Sequence, residues 1–193
     1  MHILDHLTEE HRKAERMLRA LADTDPGAER NRLLGELDEA LSVHMAVEEM
    51  FVYPIAQEVL DDEKVEEAEA EHDLARDGIR LLRERASEPG FGAVVDMVTA
   101  GIGHHVEEEE TELFPDLRQK AADRLAGLEP GELEQEARAS RSARTPRGRT
   151  GDDDDGETRD ELYARAQAAD IAGRSQMTKD ELAAALRGLG LLS

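Results

Sequence analysis

Two stretches of this chain repeat one pattern: His44-Met-Ala-Val-Glu48-Glu49-Met-Phe-Val-Tyr53-Pro54 and His105-Val-Glu-Glu-Glu109-Glu110-Thr-Glu-Leu-Phe114-Pro115. In each, a histidine precedes a glutamate by four residues, and an aromatic residue and a proline close the stretch. Residues four apart on a helix share a face, so each copy presents a nitrogen and an oxygen donor side by side. Imidazole with carboxylate suits iron, manganese or zinc, and the chain has no cysteine to offer a thiolate. Two copies on separate helices read as the two halves of one metal site.

Helices must carry these residues. The breakers Asp23-Thr24-Asp25-Pro26-Gly27 and Ser87-Glu88-Pro89-Gly90, with the capping pair Asp61-Asp62, divide the first 125 residues into helices over about 3–22, 29–60, 63–86 and 91–125. Pro54 and Pro115 fall inside the second and fourth and should bend them or end their regular part. Short connections make successive helices antiparallel neighbours, so the expected fold is all-α, an up-down-up-down four-helix bundle.

Each helix carries an apolar stripe in steps of three or four residues, broken by polar ones. The stripes run through Leu7, His11 and Ala14; Leu41, His44, Glu48 and Phe51; Ala68, His72 and Ala75; and Ile102, His105, Glu109 and Leu113. With a rise of 1.5 Å per residue, the six polar side chains lie about 12 to about 24 Å from the same end of the bundle. That spread is within the play of the helix ends, so the six should converge on one layer. Buried without partners, ionised groups would cost several kcal/mol each, and bound cations remove that cost. Four imidazoles and two carboxylates exceed what one tetrahedral zinc takes and suit two ions if the glutamates bridge.

A lone core histidine is more often a hydrogen-bonded structural residue, but four helices interrupted at one depth point to a site. His104 also has a glutamate four residues on, Glu108. His105 is preferred because it aligns with His44 and shares the stripe of Ile102 and Glu109. Glu107 and Glu108 read as a solvated face, and His2 and His6 as surface residues. Tyr53 and Phe114 read as packing residues, with a phenol beside a ferric ion as the alternative for Tyr53.

Composition narrows the class. The 193 residues are 3 % aromatic, without tryptophan, which favours helices over a β-sandwich. A net charge of −22 with regular apolar spacing describes an acidic folded domain that repels phosphate backbones and anionic lipid. Without cysteine, disulfides and thiolate catalysis are excluded. The start has no signal-peptide pattern and no stretch approaches a membrane span, so a cytoplasmic protein without a membrane partner is expected.

Beyond the bundle, placed at 1–128, residues 129–156 read as a flexible linker. Arg138, Arg141, Arg144, Arg147 and Arg149 are followed there by Asp152 to Asp155. Residues 157–193 read as a small helical module. Capping boxes at Thr158/Glu161 and Thr178/Glu181 start two helices, and Leu162, Ala166, Ile171, Met177, Leu182 and Leu186 form the expected core.

Over about residues 1–125 the chain resembles the hemerythrin-like HHE cation-binding family. Glu10-His11-Arg12, His44 to Pro54, Glu71-His72-Asp73 and His105 to Pro115 carry the likeness. The resemblance implies a non-haem di-iron centre, two ions with an oxo or hydroxo bridge, with manganese or zinc as alternatives. It implies His11, His44, Glu48, His72, His105 and Glu109 as metal ligands and a small oxidant (O2, peroxide or NO) as the reacting partner, or a role in sensing iron or redox state. Oxygen-carrying members have a histidine where this chain has Arg76, and an aspartate at the position of Glu110. This pattern is instead similar to the bacterial branch with one histidine, or one histidine–glutamate pair, per helix. Residues 157–187 resemble the Rho N-terminal-like or SAP-like module, which implies nucleic acid as a partner and a stress-related adaptor as the alternative function. Acidic residues offset the basic ones of that module, and the arginine-rich linker is the better electrostatic candidate.

Overall fold

The computed structural model describes residues 1–60, 62–144, 159–169, 171, 174 and 177–191. Regular structure among them is helical, and no strand forms among the described residues. Helix α1 spans Ile3–Ala22 and starts on His2, whose Nδ1 accepts the Leu4 amide at 3.2 Å. His2 is thus a helix cap rather than a plain surface residue. Helix α2 (Ala28–Val47) runs through a π-helical turn, π1 (Glu48–Val52), into α3 (Tyr53–Val59). Helix α4 is Asp62–Glu84. Helix α5 (Phe91–Glu108) repeats the device through π2 (Glu109–Leu113) into α6 (Phe114–Lys120), and α7 (Ala122–Leu125) follows.

The regular α-helix thus stops ahead of each proline, at Val47 and Glu108, and resumes as α3 and α6 with Pro54 and Pro115 in their first turns. Pro54 and Pro115 have no N–H to give, and a proline ring crowds the carbonyl four residues back. The chain answers by widening the preceding turn: the Tyr53 N–H bonds to the Glu48 carbonyl and the Phe114 N–H to the Glu109 carbonyl, one residue further back than in an α-helix.

Helix α1 packs on α2 and α5, and α4 packs on α5 and α2. Gly78 allows a close approach of α4 to α5, since a Cβ there would lie 2.9 Å from a Val98 methyl. The apolar core divides into two clusters, one around Leu7, Val47, Ala68 and Leu113, the other around Ala14, Leu41, Ile79 and Ile102. Helices α1 and α4 pass from one cluster to the other across His11 and His72, and the runs α2–π1 and α5–π2 do so near His44 and His105. The polar layer is bounded by hydrocarbon on both sides.

Buried Arg30 ties two connections together. It donates to the Thr24 and Ala86 carbonyls, Nε to the first at 3.0 Å and Nη1 to the second at 2.7 Å, and its guanidinium lies 4.1 Å from the Phe91 ring centre. Hydrogen bonds from a charged donor contribute about 2 kcal/mol. Arg30→Met should therefore lower the thermal midpoint by roughly 4–8 °C in a circular-dichroism melt.

The linker expectation needs correction over part of its length. Residues 130–144 form helix α8 (Pro130–Arg144). Leu133 and Ala137, one turn apart, are buried in the first apolar cluster, Glu134 lies 2.8 Å from His6, and Arg138 lies 2.6 Å from Glu39. The chain's first compact unit accordingly runs Met1–Ser140, past the expected boundary at residue 128. A single buried leucine–alanine pair among charged residues is too weak a stripe to read from spacing. Arg147, Arg149 and Asp152 to Asp155 lie outside the described residues.

The second unit, Arg141–Ser193, contains α9 (Arg159–Ala168) and α10 (Lys179–Gly188). Leu162, Ala166, Leu182, Ala183 and Leu186 form its core, with Ile171 and Met177 packed against it. The expected capping box is formed at Thr178, whose Oγ1 accepts the Glu181 amide while Glu181 accepts the Thr178 amide at 2.7 Å. Its counterpart at Thr158 lies outside the described residues. No helix among the described residues is long and apolar enough to cross a membrane.

Candidate metal centre

The four core histidines meet in two pairs. His11 from α1 and His44 from α2 bring their Nε2 atoms to 3.0 Å, and His72 from α4 and His105 from α5 bring theirs to 3.1 Å. Glu48 lies between the pairs: its Oε2 is 3.2 Å from His44 Nε2 and 3.3 Å from His72 Nε2. Glu109 does the same from the other side, its Oε2 3.3 Å from His11 Nε2 and 3.4 Å from His105 Nε2. All six side chains are buried, Glu48 completely. The structure thus brings together the six residues singled out in the sequence. It leaves His104 outside, 63 % exposed, with Nε2 3.3 Å from Glu108.

The arrangement is an internal repeat with an offset of 61 residues: His11 matches His72, His44 His105, Glu48 Glu109, Glu49 Glu110, and Tyr53 Phe114. The repeat extends to a second layer of contacts. Glu110 accepts from His11 Nδ1 at 2.8 Å, and Glu49 accepts from His72 Nδ1 at 2.8 Å. Each of these carboxylates is held by an arginine, Glu110 by Arg12 and Glu49 by Arg76 at 2.5 Å. Each arginine is steadied by an acid three residues away on its own helix, but the order is reversed: Arg12 then Glu15 on α1, Asp73 then Arg76 on α4. Arg76 serves as the anchor of Glu49.

The two halves differ in two further places. Glu71 accepts from His105 Nδ1 at 3.0 Å, whereas His44 Nδ1 is buried without a partner. Tyr53 donates its hydroxyl to Glu109 Oε1 at 2.9 Å and lies 3.2 Å from His72 Nε2, whereas Phe114 stacks on His11. Tyr53 is therefore more than a packing residue. Glu49, Glu71 and Glu110 were not singled out as functional by spacing. The signal for Glu49 and Glu110 was present, because both repeats carry two consecutive glutamates. On an α-helix the second of two neighbours turns well away from the first, but the π turns begin at Glu48 and Glu109, and both Glu48 and Glu49 are buried.

The charges in this layer are set against one another. Burial, then the neighbouring Glu109 and Glu49 carboxylates, push Glu48 well above the usual carboxylate range. Burial also acts on Glu109, but the imidazole of His11, with Nε2 3.3 Å from Oε2, and those of His105 and His72 outweigh it and hold Glu109 down to about 2. Burial, then His11, keeps His44 far below its ordinary value and therefore neutral. His11 is lowered by burial, but Glu109 and Glu110 more than offset this and raise it. Tyr53 is pushed well up by burial and by Glu109 and Glu48, so it stays a phenol.

These donors fit metal ions. A carboxylate can only accept, so Glu110, Glu49 and Glu71 fix the protons of His11, His72 and His105 on Nδ1 and turn the Nε2 lone pairs inward. Two imidazole lone pairs about 3 Å apart repel unless a proton or a cation lies between them. Both Glu48 oxygens and Glu109 Oε2 are buried without a hydrogen-bond partner, and a buried unpaired oxygen costs about 1–3 kcal/mol. Cations satisfy the lone pairs and the oxygens together. The donor atoms of His11, His44, Glu48 and Glu109 lie within 4.8 Å of one another, as do those of Glu48, His72 and His105.

No curated protein matches the chain, and no solved structure does. The family description of the Hemerythrin HHE cation binding domain matches residues 2–117, a stretch that contains every residue of the buried histidine–glutamate layer and both π turns. Given that match over most of the first unit, and a core built of imidazoles and carboxylates placed as cation ligands, the chain belongs to the hemerythrin HHE cation-binding family.

Proposed function

We propose that this protein is a non-haem di-iron protein that binds and reacts with a small oxidant, through an up-down-up-down bundle that holds the two ions in its core. His11 and His44 would hold one ion and His72 and His105 the other, with Glu48 and Glu109 within reach of both. The observation that carries this reading is the pair of buried carboxylates, each reaching one histidine of each pair with an oxygen that has no hydrogen-bond partner.

Bound iron supplies one-electron redox chemistry. The chain's own residues do the rest. Glu110 with Arg12, and Glu49 with Arg76, orient His11 and His72 through Nδ1 and keep both rings in one tautomer. Tyr53 holds a proton on its hydroxyl oxygen beside Glu109 Oε1 and excludes bulk water from that side. A cavity of about 20 Å³ opens on all four imidazoles and is otherwise walled by Glu10 and by apolar side chains, Leu41, Met45, Ile102 and Val106 among them. That is room for about one water-sized molecule, and its largely apolar wall favours O2 or NO over peroxide.

Metal analysis of purified chain, with absorption recorded before and after addition of NO or peroxide, tests the reading. Two irons per chain and a visible band that changes with oxidant are expected. His105→Ala should lose at least half of the metal, and His104→Ala should keep both ions. Equal losses from the two variants would refute the ligand assignment.

A further inference from the structure

His104 and Glu108 repeat the histidine–glutamate spacing one residue before the buried pair, yet they contribute nothing to the buried layer. Glu108 lines an acidic pocket of about 50 Å³ between α4, α5 and π2, and His104 lies beside it in the neighbouring groove that also contains Glu71. Glu67, Glu71, Glu108 and Glu112 line it, and its deep wall includes His105 and Glu109. Glu109 is 2 % exposed, and its Oε2 is without a hydrogen-bond partner. Two of its lining residues, Glu71 and Glu108, bring donor atoms within 4.8 Å of one another and of His104. His104 Nε2 is 3.3 Å from Glu108 and 3.8 Å from Glu71. Glu71 joins outside to inside, because its other oxygen accepts from His105 Nδ1 at 3.0 Å. Lys64 is the cation of this rim, and it is engaged by Glu112 at 3.1 Å and Asp116 at 3.8 Å.

We propose that Glu71, His104 and Glu108 form an outer station for a divalent cation, from which metal passes along the acidic pocket to His105 and Glu109. The proposal rests on the buried centre being a metal site. A nitrogen and two carboxylate oxygens at the surface suit a hard or borderline hydrated divalent ion that keeps several of its waters. Each step inward exchanges a water for a carboxylate: Glu71 and Glu108 at the mouth, then Glu109. The apolar cavity reaches the histidines past Ala14, Leu41 and Ile102, so ions and small apolar ligands have separate ways in. The acidic lining raises the local cation concentration, an effect that accelerates association about ten- to a thousandfold in charged clefts.

The test uses the full chain stripped of metal and titrated anaerobically with cobalt(II), followed by calorimetry and visible absorption. Wild type should take up two tight equivalents and one weaker one. The double variant His104→Asn with Glu108→Gln should lose the weak equivalent, keep both tight ones, and fill them about tenfold more slowly in stopped flow at low salt. High salt should narrow that gap, because it screens the mouth. A weak equivalent that survives the double substitution, or filling that is as fast as in wild type, overturns the proposal. Finding no tight equivalent in wild type refutes the buried centre instead. The weak equivalent then decides the outer station alone: its loss in the variant supports the station, and its lack in wild type overturns it.

Discussion

Stripped of metal, a Glu48→Leu chain should melt higher than the wild-type chain stripped in the same way. Glu48 is fully buried, both of its oxygens are without hydrogen-bond partners, and it lies between two apolar clusters. Replacing a buried charged or polar group by leucine of similar volume removes a desolvation cost of about 1–4 kcal/mol. That corresponds to roughly 2–15 °C in thermal midpoint for a domain of this size. Leucine and glutamate have similar helix propensities, so the backbone term is small. The loaded state should reverse the order. Wild type at about a hundredfold excess of free metal over Kd gains about 2.7 kcal/mol per site, and the variant, without one bridge, should gain far less. Melts of the two proteins with and without iron(II) read both effects. A structural role for Glu48 predicts the opposite outcome, with the variant less stable whether or not metal is present.

Loading should release protons and bind more tightly as pH rises. Ion binding needs both carboxylates ionised and the four imidazoles neutral at the metal-facing nitrogen. Glu109 is already ionised, and His44 is already neutral, so neither gives up a proton. Glu48, raised by burial and by Glu109, keeps its proton above pH 4.5 and surrenders it to the incoming ions. Protons should therefore appear in a weakly buffered titration with an indicator dye at pH values above 4.5 and below the raised value of Glu48. Log affinity should rise by about one unit per pH unit while Glu48 remains protonated in the metal-free state. His11, raised by Glu109 and Glu110 despite burial, adds to the release as pH falls through its raised value. The effect on stability has a definite sign. Above pH 4.5 the folded metal-free chain holds the Glu48 proton that the unfolded chain has lost, so Glu48 makes the metal-free fold less stable as pH rises. The gain in midpoint on loading should accordingly be larger at pH 8 than at pH 5.5. Glu48→Gln should remove most of this dependence.

Much of the architecture was open to inspection in the linear chain. Helix α1 begins and ends at the residues that the breakers marked, and the four histidines and two glutamates lie in the one layer that stripe spacing implied. Periodicity works here because helical rise and turn are local properties, and because a polar residue in an apolar stripe is rare enough to stand out. Choosing His105 over His104 needed no coordinates: sharing a stripe with Ile102 and Glu109 amounts to sharing a buried face, and 63 % exposure puts His104 on the other side.

Other features were settled when helices met. The pairing of His11 with His44, and of His72 with His105, joins residues from different helices, and no local rule chooses among the partners. The wide turns at Glu48 and Glu109 come from the conflict between a proline and a helix that packing does not allow to stop, and they accompany the burial of Glu49 beside Glu48. The reversed anchors Arg12–Glu15 and Asp73–Arg76 read as ordinary surface pairs until Glu110 and Glu49 arrive from neighbouring helices. Helix α8 joins the first unit through Leu133 and Ala137, whose value comes from the cluster they enter and not from their own segment. The kinds of donor and their depth in the fold follow from short-range order along the backbone. Their partners, protons and mutual distances arise from contacts between segments far apart in the chain, where packing and burial outweigh local preference.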